Sequence, residues 1–205
     1  MSLYIALGDS ITAGYGVGSL SSFPIVYGNS LRRHKPDLMI HNLGVNGLTT
    51  QGLIELLQYN RHLRFLVSQA SLITITIGSN DLLHLVRDSN QLVTKSQFTT
   101  VLNNLGRNMT QIGETIRRLN PRVTVKVATI YNPLPAGPYT QYYGQVQAFI
   151  NAANARMITW SKRYGFVVVD LDREIKGKER TLISQDYAHP NAAGYRVIAK
   201  AFARY

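Results

Sequence analysis

The sequence predicts an α/β fold in which a mostly parallel β-sheet is covered by helices. Short apolar runs alternate along the chain with longer amphipathic runs, a pattern typical of successive βαβ units. Two of the short runs, Ile73 to Ile77 and Val123 to Val127, are rich in β-branched residues, which favour strands. The sequence has no internal repeat and no break in composition. We therefore expect its 205 residues to form one domain that spans positions 1–205.

Five strands and five helices are predicted, and they follow one another in alternation. The predicted strands are residues 3–7, 38–42, 72–77, 123–130 and 166–169. The predicted helices are residues 23–34, 50–67, 97–119, 141–163 and 190–202. Two segments, 82–95 and 132–139, lack clear periodicity, and no helix or strand is assigned to them.

Local signals mark several helix ends. Pro24 lies near the start of the first helix, where its missing N–H has no cost, and Pro121 ends the third helix. Ser96 and Thr140 are the predicted N-caps of the third and fourth helices.

The charge of the chain is strongly basic, with 22 Lys and Arg residues, 11 Asp and Glu residues and a net charge of +11. Such a charge indicates either a solvated basic surface or a face that binds nucleic acid or an anionic surface. Because the cations are spread in small groups, we interpret them as a solvated surface and expect no nucleic-acid partner. A nucleic-acid-binding or anionic-surface-binding protein is the alternative of a different class.

The absence of cysteine excludes disulfides, thiolate metal sites and cysteine nucleophiles. The five histidines are scattered, with no pair at metal-ligand spacing on one helix, so we expect neither a metal nor an organic cofactor. No apolar run reaches the ~18–20 residues that a membrane span needs. The first residues lead directly into a predicted strand. We therefore expect a cytoplasmic protein without stable membrane insertion, and the sequence predicts no particular oligomeric state.

Four short segments that are rich in glycine and polar residues are predicted to meet at one edge of the sheet. Three of them follow the first three strands, and the fourth opens the last helix. They are Gly8-Asp9-Ser10, Asn42 to Gly47, Gly78 to Asp81 and Asp186 to Pro190. In open parallel sheets, ligands bind outside the carboxyl ends of the strands. The sequence therefore predicts one site to which all four segments contribute.

Ser10 and His189 are the candidate reactive residues of this site. A serine hydroxyl becomes a nucleophile when an oriented histidine takes its proton, and Asp186 is close enough in sequence to orient His189. Each residue also has a structural interpretation, because Ser10 could be a helix N-cap and His189 could cap the last helix.

Asn80 and Gly47 are candidate donors to an oxyanion. The side-chain amide of Asn80 and the backbone N–H groups of Gly47 and Ser10 could stabilise negative charge that develops on a substrate carbonyl. Asn is also common in turns and Gly at positive φ, so the residues alone leave a purely local explanation open for both.

Four segments of the chain resemble, in order and in spacing, the conserved blocks of the SGNH, or GDSL-type, hydrolases. They are Gly8-Asp9-Ser10, Gly47, Gly78-x-Asn80-Asp81 and Asp186-x-x-His189. The resemblance covers nearly the whole chain, and the chain is similar to the bacterial thioesterase I, lysophospholipase and arylesterase branch. It implies a three-layer α/β/α, flavodoxin-like fold with a central five-stranded parallel sheet in the strand order 2-1-3-4-5.

The resemblance also implies roles for individual residues. Ser10, His189 and Asp186 would form a catalytic triad, and the N–H groups of Ser10 and Gly47 would form an oxyanion hole with the Asn80 amide. Asp9 and Asp81, which flank these residues, would be structural.

The second and first blocks differ slightly from the family pattern. Gly44 is a competing choice for the glycine of the second block, in which Asn42 matches the family's Asn. Ile11 stands where the eponymous motif has Leu, and Leu48 stands where Asp is common. Neither change affects the residues that would carry the chemistry.

A glycine-rich segment, residues 14–18, follows the candidate nucleophile. It is not a dinucleotide-binding motif, because Ser19 stands where the third glycine would be. We interpret it as a flexible loop beside Ser10.

These features predict an esterase or lipase that cleaves acyl esters of small molecules through an acyl-serine intermediate. Carbohydrate acetates, acyl thioesters and lysophospholipids are alternative substrates within the same family. The segment 131–139, rich in Pro, follows the fourth strand and should overhang the site. Either it merely joins strand to helix, or Tyr131, Leu134 and Tyr139 line an acyl pocket.

Overall fold

The structure is a computed structural model that describes residues 2–87, 93–135 and 140–205. In these residues, five strands form one sheet in the order β2-β1-β3-β4-β5, and every neighbouring pair is parallel. The strands are β1 Leu3–Gly8, β2 Met39–Gly44, β3 Leu72–Thr76, β4 Thr124–Ala128 and β5 Val167–Val169. The predicted α/β class and the strand order that the resemblance implies are confirmed.

Helices connect the strands and cover the sheet. They are α1 Ser10–Ala13, α2 Phe23–Arg32, α3 Thr50–Tyr59, α4 Arg61–Gln69, α5 Ser79–Arg87, α6 Lys95–Leu119, α7 Thr140–Arg163, α8 Leu171–Ile175, α9 Glu179–Leu182 and α10 Ala192–Arg204. A 3-10 turn, Ser19–Ser21, precedes α2.

The central strand β1 shows how the layers form, because successive side chains of a strand point to opposite faces. Ile5 and Leu7 pack in one apolar core with α3, α4, α6 and α7. Tyr4 and Ala6 pack in a second core with α2, α8, α9 and α10. The sheet is therefore the middle of three layers. The loops that carry the candidate site follow the carboxyl ends of its strands.

The prediction of one helix over residues 50–67 is wrong, because Asn60 divides this segment into α3 and α4. Its backbone is extended (φ −82°, ψ 100°), which ends α3. Its side chain then accepts a 2.9 Å hydrogen bond from the N–H of Leu63 and caps α4. Asn competes well for such a cap, whereas inside a helix it is only a mediocre helix former.

The prediction that Ser96 caps the third predicted helix is also wrong, because α6 begins at Lys95, two residues earlier than predicted, and its cap is Thr94. Thr94 Oγ1 accepts from the N–H of Gln97, and the Gln97 side chain accepts in return from the N–H of Thr94. This reciprocal capping box leaves Ser96 inside the first turn.

Four short helices lie outside the five predicted ranges. Helix α1 follows β1, α5 extends into the segment 82–95 that lacks clear periodicity, and α8 and α9 lie between β5 and α10. Each has nine residues or fewer, which is too short for an apolar pattern to distinguish a helix from a loop.

Candidate active site

The candidate nucleophile lies in the tight turn between β1 and α1. Asp9 is the N-cap of α1 and accepts a 3.0 Å hydrogen bond from the N–H of Ile11. Ser10 is the first residue of the helix, so the interpretation of Ser10 as the cap is wrong. Its hydroxyl is consequently available for a partner other than its own helix.

That partner is His189, which approaches from the loop before α10. His189 Nε2 lies 2.8 Å from Ser10 Oγ, and Nδ1 lies 2.6 Å from Asp186 Oδ2. The interpretation of His189 as a helix cap is wrong, because Asn191 caps α10 by accepting from the N–H groups of Ala193 and Gly194. The three predicted residues therefore form one continuous chain of hydrogen bonds.

Asp186 is held by a tight turn. Its Oδ1 accepts hydrogen bonds from the Ser184 hydroxyl (2.6 Å) and from the N–H groups of Ala188 and His189 (3.0 Å each). Tyr187, between them, has a φ of 52°, which closes the turn. Partial burial alone would raise the pKa of Asp186, but the hydrogen bonds from Ser184 and His189 outweigh it and hold the pKa well below its usual range. Asp186 is consequently ionised and oriented towards the imidazole.

Asp9 lies beneath the nucleophile and is 1% exposed. Besides the Ile11 N–H, it accepts a 3.0 Å hydrogen bond from the hydroxyl of Thr76 at the end of β3. Burial raises the pKa of Asp9 to about 6, although these hydrogen bonds act in the opposite direction. Its contacts tie the nucleophile turn to the sheet, in agreement with a structural role.

Asp81 makes an equivalent connection on the other side of the site. Its carboxylate accepts hydrogen bonds from the N–H and the hydroxyl of Thr50, the first residue of α3. Burial raises the pKa of Asp81, and the two bonds from Thr50 partly offset this effect. The contact fixes the start of α5 against the start of α3.

The two glycines of the second block have different environments. The N–H of Gly44 donates to Asn42 Oδ1 (3.0 Å), and a Cβ at this position would collide with the backbone of Ala13. Gly47 has a φ of 77° in an exposed turn, and a Cβ there would meet nothing within 4 Å. Gly44 therefore serves the packing of β2 on α1, whereas the backbone of Gly47 is open to a ligand.

Asn80 lies in the first turn of α5, directly after β3. Its Nδ2 donates a 2.9 Å hydrogen bond to the carbonyl of Leu48, the residue that follows Gly47. The bond connects the third block of the resemblance to the second and orients the amide of Asn80.

The three predicted acyl-pocket residues have different surroundings. Tyr131 is 7% exposed, and its hydroxyl donates a 2.8 Å hydrogen bond to the carbonyl of Ala188. Leu134 is half-buried, and its N–H donates to Asn132 Oδ1. Tyr139 lies outside the described residues.

Sequence reasoning missed two tyrosines of the site. The ring of Tyr15 lies on the imidazole of His189, and the hydroxyl of Tyr195 donates to the carbonyls of Tyr15 (3.1 Å) and Ser10 (3.4 Å). Tyr15 lies in the glycine-rich segment interpreted as a flexible loop, whereas its backbone is in fact hydrogen-bonded. No local pattern signals either contact, because Tyr195 is 180 residues away from Tyr15 in the chain.

Residues 2–87, 93–135 and 140–205 contain no group of three or more His, Asp or Glu side chains that could hold a metal ion. None of the helices in the same ranges is long and apolar enough to cross a membrane.

Residues 6–197 match the GDSL-like lipase/acylhydrolase family. A spore germination lipase, LipC, of Bacillus licheniformis is 25% identical over 96% of this chain and 92% of its own. A lipase from the goat rumen metagenome is 24% identical and superposes with a TM-score of 0.88 over 100% of this chain and 97% of its own. The psychrotrophic esterase EstA of Pseudoalteromonas sp., in a form inhibited by monoethylphosphonate, is 18% identical and has a TM-score of 0.67 over 100% and 96% of the two chains.

Proposed function

The chain belongs to the GDSL-like lipase/acylhydrolase family and is a carboxylic-ester hydrolase, and we propose that Ser10 is its nucleophile. In this proposal His189 is the general base, and Asp186 is the residue that orients the base. One observation carries the proposal, namely the continuous path from Asp186 Oδ2 through both imidazole nitrogens to Ser10 Oγ, with distances of 2.6 and 2.8 Å. These distances allow proton transfer, and Asp186 selects the tautomer in which Nε2 accepts the proton.

The reaction follows from this arrangement. His189 takes the proton of Ser10 as Oγ attacks the carbonyl carbon of the ester, and a tetrahedral intermediate with a negatively charged oxygen forms. The imidazolium then protonates the leaving alcohol as the bond to it breaks, and an acyl-serine remains. A water molecule, deprotonated by His189, attacks the acyl group, and the proton returns to Ser10 as the carboxylic acid leaves.

The negative oxygen needs donors that are already in place, and we assign this role to the N–H groups of Ser10 and Gly47 and to the side-chain amide of Asn80. An amide nitrogen carries two hydrogens. One of those on Asn80 is used in the bond to Leu48, which leaves the other for the substrate oxygen. Gly47 is favoured over Gly44 because the N–H of Gly44 already donates to Asn42.

The chemistry of the substrate is indicated by the charge of the chain segments that follow three of the strands. Although the chain carries a net charge of +11, three segments that run from the carboxyl ends of strands contain no Asp, Glu, Lys or Arg. They are residues 10–31 after β1, 42–54 at the end of β2 and 127–155 at the end of β4. An ionic group buried against uncharged walls would lose hydration without gaining a partner. We therefore propose that the substrates are esters whose acyl and alcohol parts near the reacting carbonyl are uncharged.

A matched pair of esters tests this proposal. The p-nitrophenyl esters of hexanoic acid and of adipic acid (its monoester) have acyl chains of equal length, but the second carries a carboxylate. We expect the wild-type chain to favour the hexanoate in kcat/KM and to lose this activity when Ser10 is replaced by Ala. A preference for the adipate that declines with added salt would instead indicate that the basic surface recruits anionic substrates. Thioesters and acetylated sugars in the same panel would distinguish the alternative substrate classes.

A further inference from the structure

The ring of Tyr15 lies against the imidazole of His189. The two ring centres are 4.3 Å apart, and the ring planes are inclined by 35°. Tyr15 is 49% exposed and belongs to neither apolar core, so burial of its ring in the interior does not explain its position. The contact with His189 is instead a surface feature of the candidate site.

The backbone fixes Tyr15 in this position. Its N–H donates a 3.1 Å hydrogen bond to the carbonyl of Ser10, and its carbonyl accepts a 3.1 Å hydrogen bond from the hydroxyl of Tyr195. The neighbours Gly14 and Gly16 both have positive φ, of 82° and 83°, which turns the chain sharply on each side of Tyr15. The ring is therefore presented to His189 by the same turn that carries the nucleophile.

The side chain of His189 can turn about its Cα–Cβ and Cβ–Cγ bonds, and either rotation moves the ring nitrogens away from Asp186 and Ser10. The hydrogen bonds at Nδ1 (2.6 Å) and Nε2 (2.8 Å) oppose this motion at the edge of the ring. A flat group on the face of the ring opposes it from a second direction. We propose that Tyr15 is a positioning residue that holds the plane of the His189 imidazole, a role that rests on the proposed function of His189 as the base.

The contact also favours the charged form of the ring. The face of a tyrosine carries partial negative charge and attracts a cation, so Tyr15 stabilises an imidazolium more than a neutral imidazole. The imidazolium forms as Ser10 attacks the ester. An interaction that strengthens in the transition state raises kcat more than it changes KM.

Replacement of Tyr15 by Ala and by Phe tests the proposal. With p-nitrophenyl butyrate as substrate, we expect Tyr15→Ala to lower kcat by about 2- to 10-fold with little change in KM, the range that one aromatic contact supplies. Tyr15→Phe should retain kcat within about 2-fold, because the ring face remains. Tyr59→Ala is the control, since this tyrosine at the end of α3 is 79% exposed and outside the site.

A spectroscopic measurement separates positioning from a general loss of structure. The proton shared by His189 Nδ1 and Asp186 should give a downfield NMR resonance, and its exchange with water should be faster in Tyr15→Ala than in the wild type or in Tyr15→Phe. Unchanged kcat and exchange in Tyr15→Ala would overturn the proposal, as would a loss confined to KM or an equal loss in Tyr15→Phe. If the proposed function itself were wrong, Ser10→Ala would hydrolyse the ester as fast as the wild type, an outcome that none of these Tyr15 results resembles.

Discussion

The hydroxyl of Tyr131 donates a 2.8 Å hydrogen bond to the carbonyl of Ala188, the residue that precedes the histidine of the candidate triad. Tyr131 lies just beyond β4, so this bond connects the end of a central strand to the loop that carries His189. Because Tyr131 is only 7% exposed, other parts of the protein cover most of its ring. Of the predicted acyl-pocket residues that the structure describes, Leu134 is the one with more of its side chain open to a ligand.

Leu134 and Tyr131 should therefore respond differently to substitution. Leu134→Ala should change the preferred acyl length, because one methylene in an apolar pocket is worth ~1–3 kcal/mol and shifts relative kcat/KM several-fold. Tyr131→Phe removes only the bond to Ala188 and should change all esters by a similar factor, with a loss of about 1 kcal/mol in stability. Both variants are to be assayed on p-nitrophenyl esters from acetate to decanoate. If Leu134→Ala also scales every ester by one common factor, Leu134 does not contact the acyl chain.

Replacement of Asn80 by Ala should lower kcat by ~10²–10³ with a smaller effect on KM, because the role proposed for its amide is to stabilise charge that exists only in the transition state. Asn104→Ala, at an exposed position of α6, is the matched control and should have no effect. Thermal unfolding of each variant would show whether loss of the bond to Leu48 disturbs the fold. An effect of Asn80→Ala on KM alone would make Asn80 a substrate-binding residue instead.

The buried carboxyl group of Asp9 should make stability depend on pH. Its pKa is raised from 3.8 to about 6 in the folded chain, so the folded state binds this proton more tightly than the unfolded state does. The stabilising contribution is present below pH 4 and is lost as the pH rises to about 6, with a maximum of about 3 kcal/mol.

The Asp9→Asn variant keeps an oxygen that can accept from Ile11 and Thr76 but has no proton to lose. Its free energy of unfolding, measured with urea between pH 4 and pH 8, should therefore increase relative to that of the wild type as the pH rises. Other ionisable groups contribute equally to the free energy of unfolding of both proteins, so their contributions cancel when one value is subtracted from the other. This includes the contribution of Asp186, whose lowered pKa changes stability in the opposite direction. A difference that stays constant over this range would contradict the raised pKa.

Much of the fold could be predicted because its strands are continuous apolar runs and their connections are long amphipathic helices. The predictions that proved wrong concern the positions of individual helix ends. Asn60 breaks a helix whose apolar pattern continues on both sides of it, and Thr94 outcompetes Ser96 as a cap through its partner Gln97. In both places a single side-chain hydrogen bond decides a boundary that the periodicity does not record.

The residues of the candidate site could be found for a related reason. Ser10, Asn80 and Gly47 follow strands of one parallel sheet, so the topology brings them to one edge whatever the helices do. Tyr15 and Tyr195 could not be found in this way, since each acts through a contact that depends on how α10 packs beside the nucleophile turn. Such a contact has no signature in local sequence.

The most direct test of the account is covalent labelling of Ser10. A serine-directed p-nitrophenyl alkylphosphonate should release one equivalent of p-nitrophenol per chain, and peptide mass spectrometry should find the phosphonyl group on Ser10. Ser10→Ala should not react, and His189→Ala should react far more slowly, because the hydroxyl then lacks its base. Labelling at another residue, or ester hydrolysis by Ser10→Ala at the wild-type rate, would contradict the assignment of Ser10 as the nucleophile.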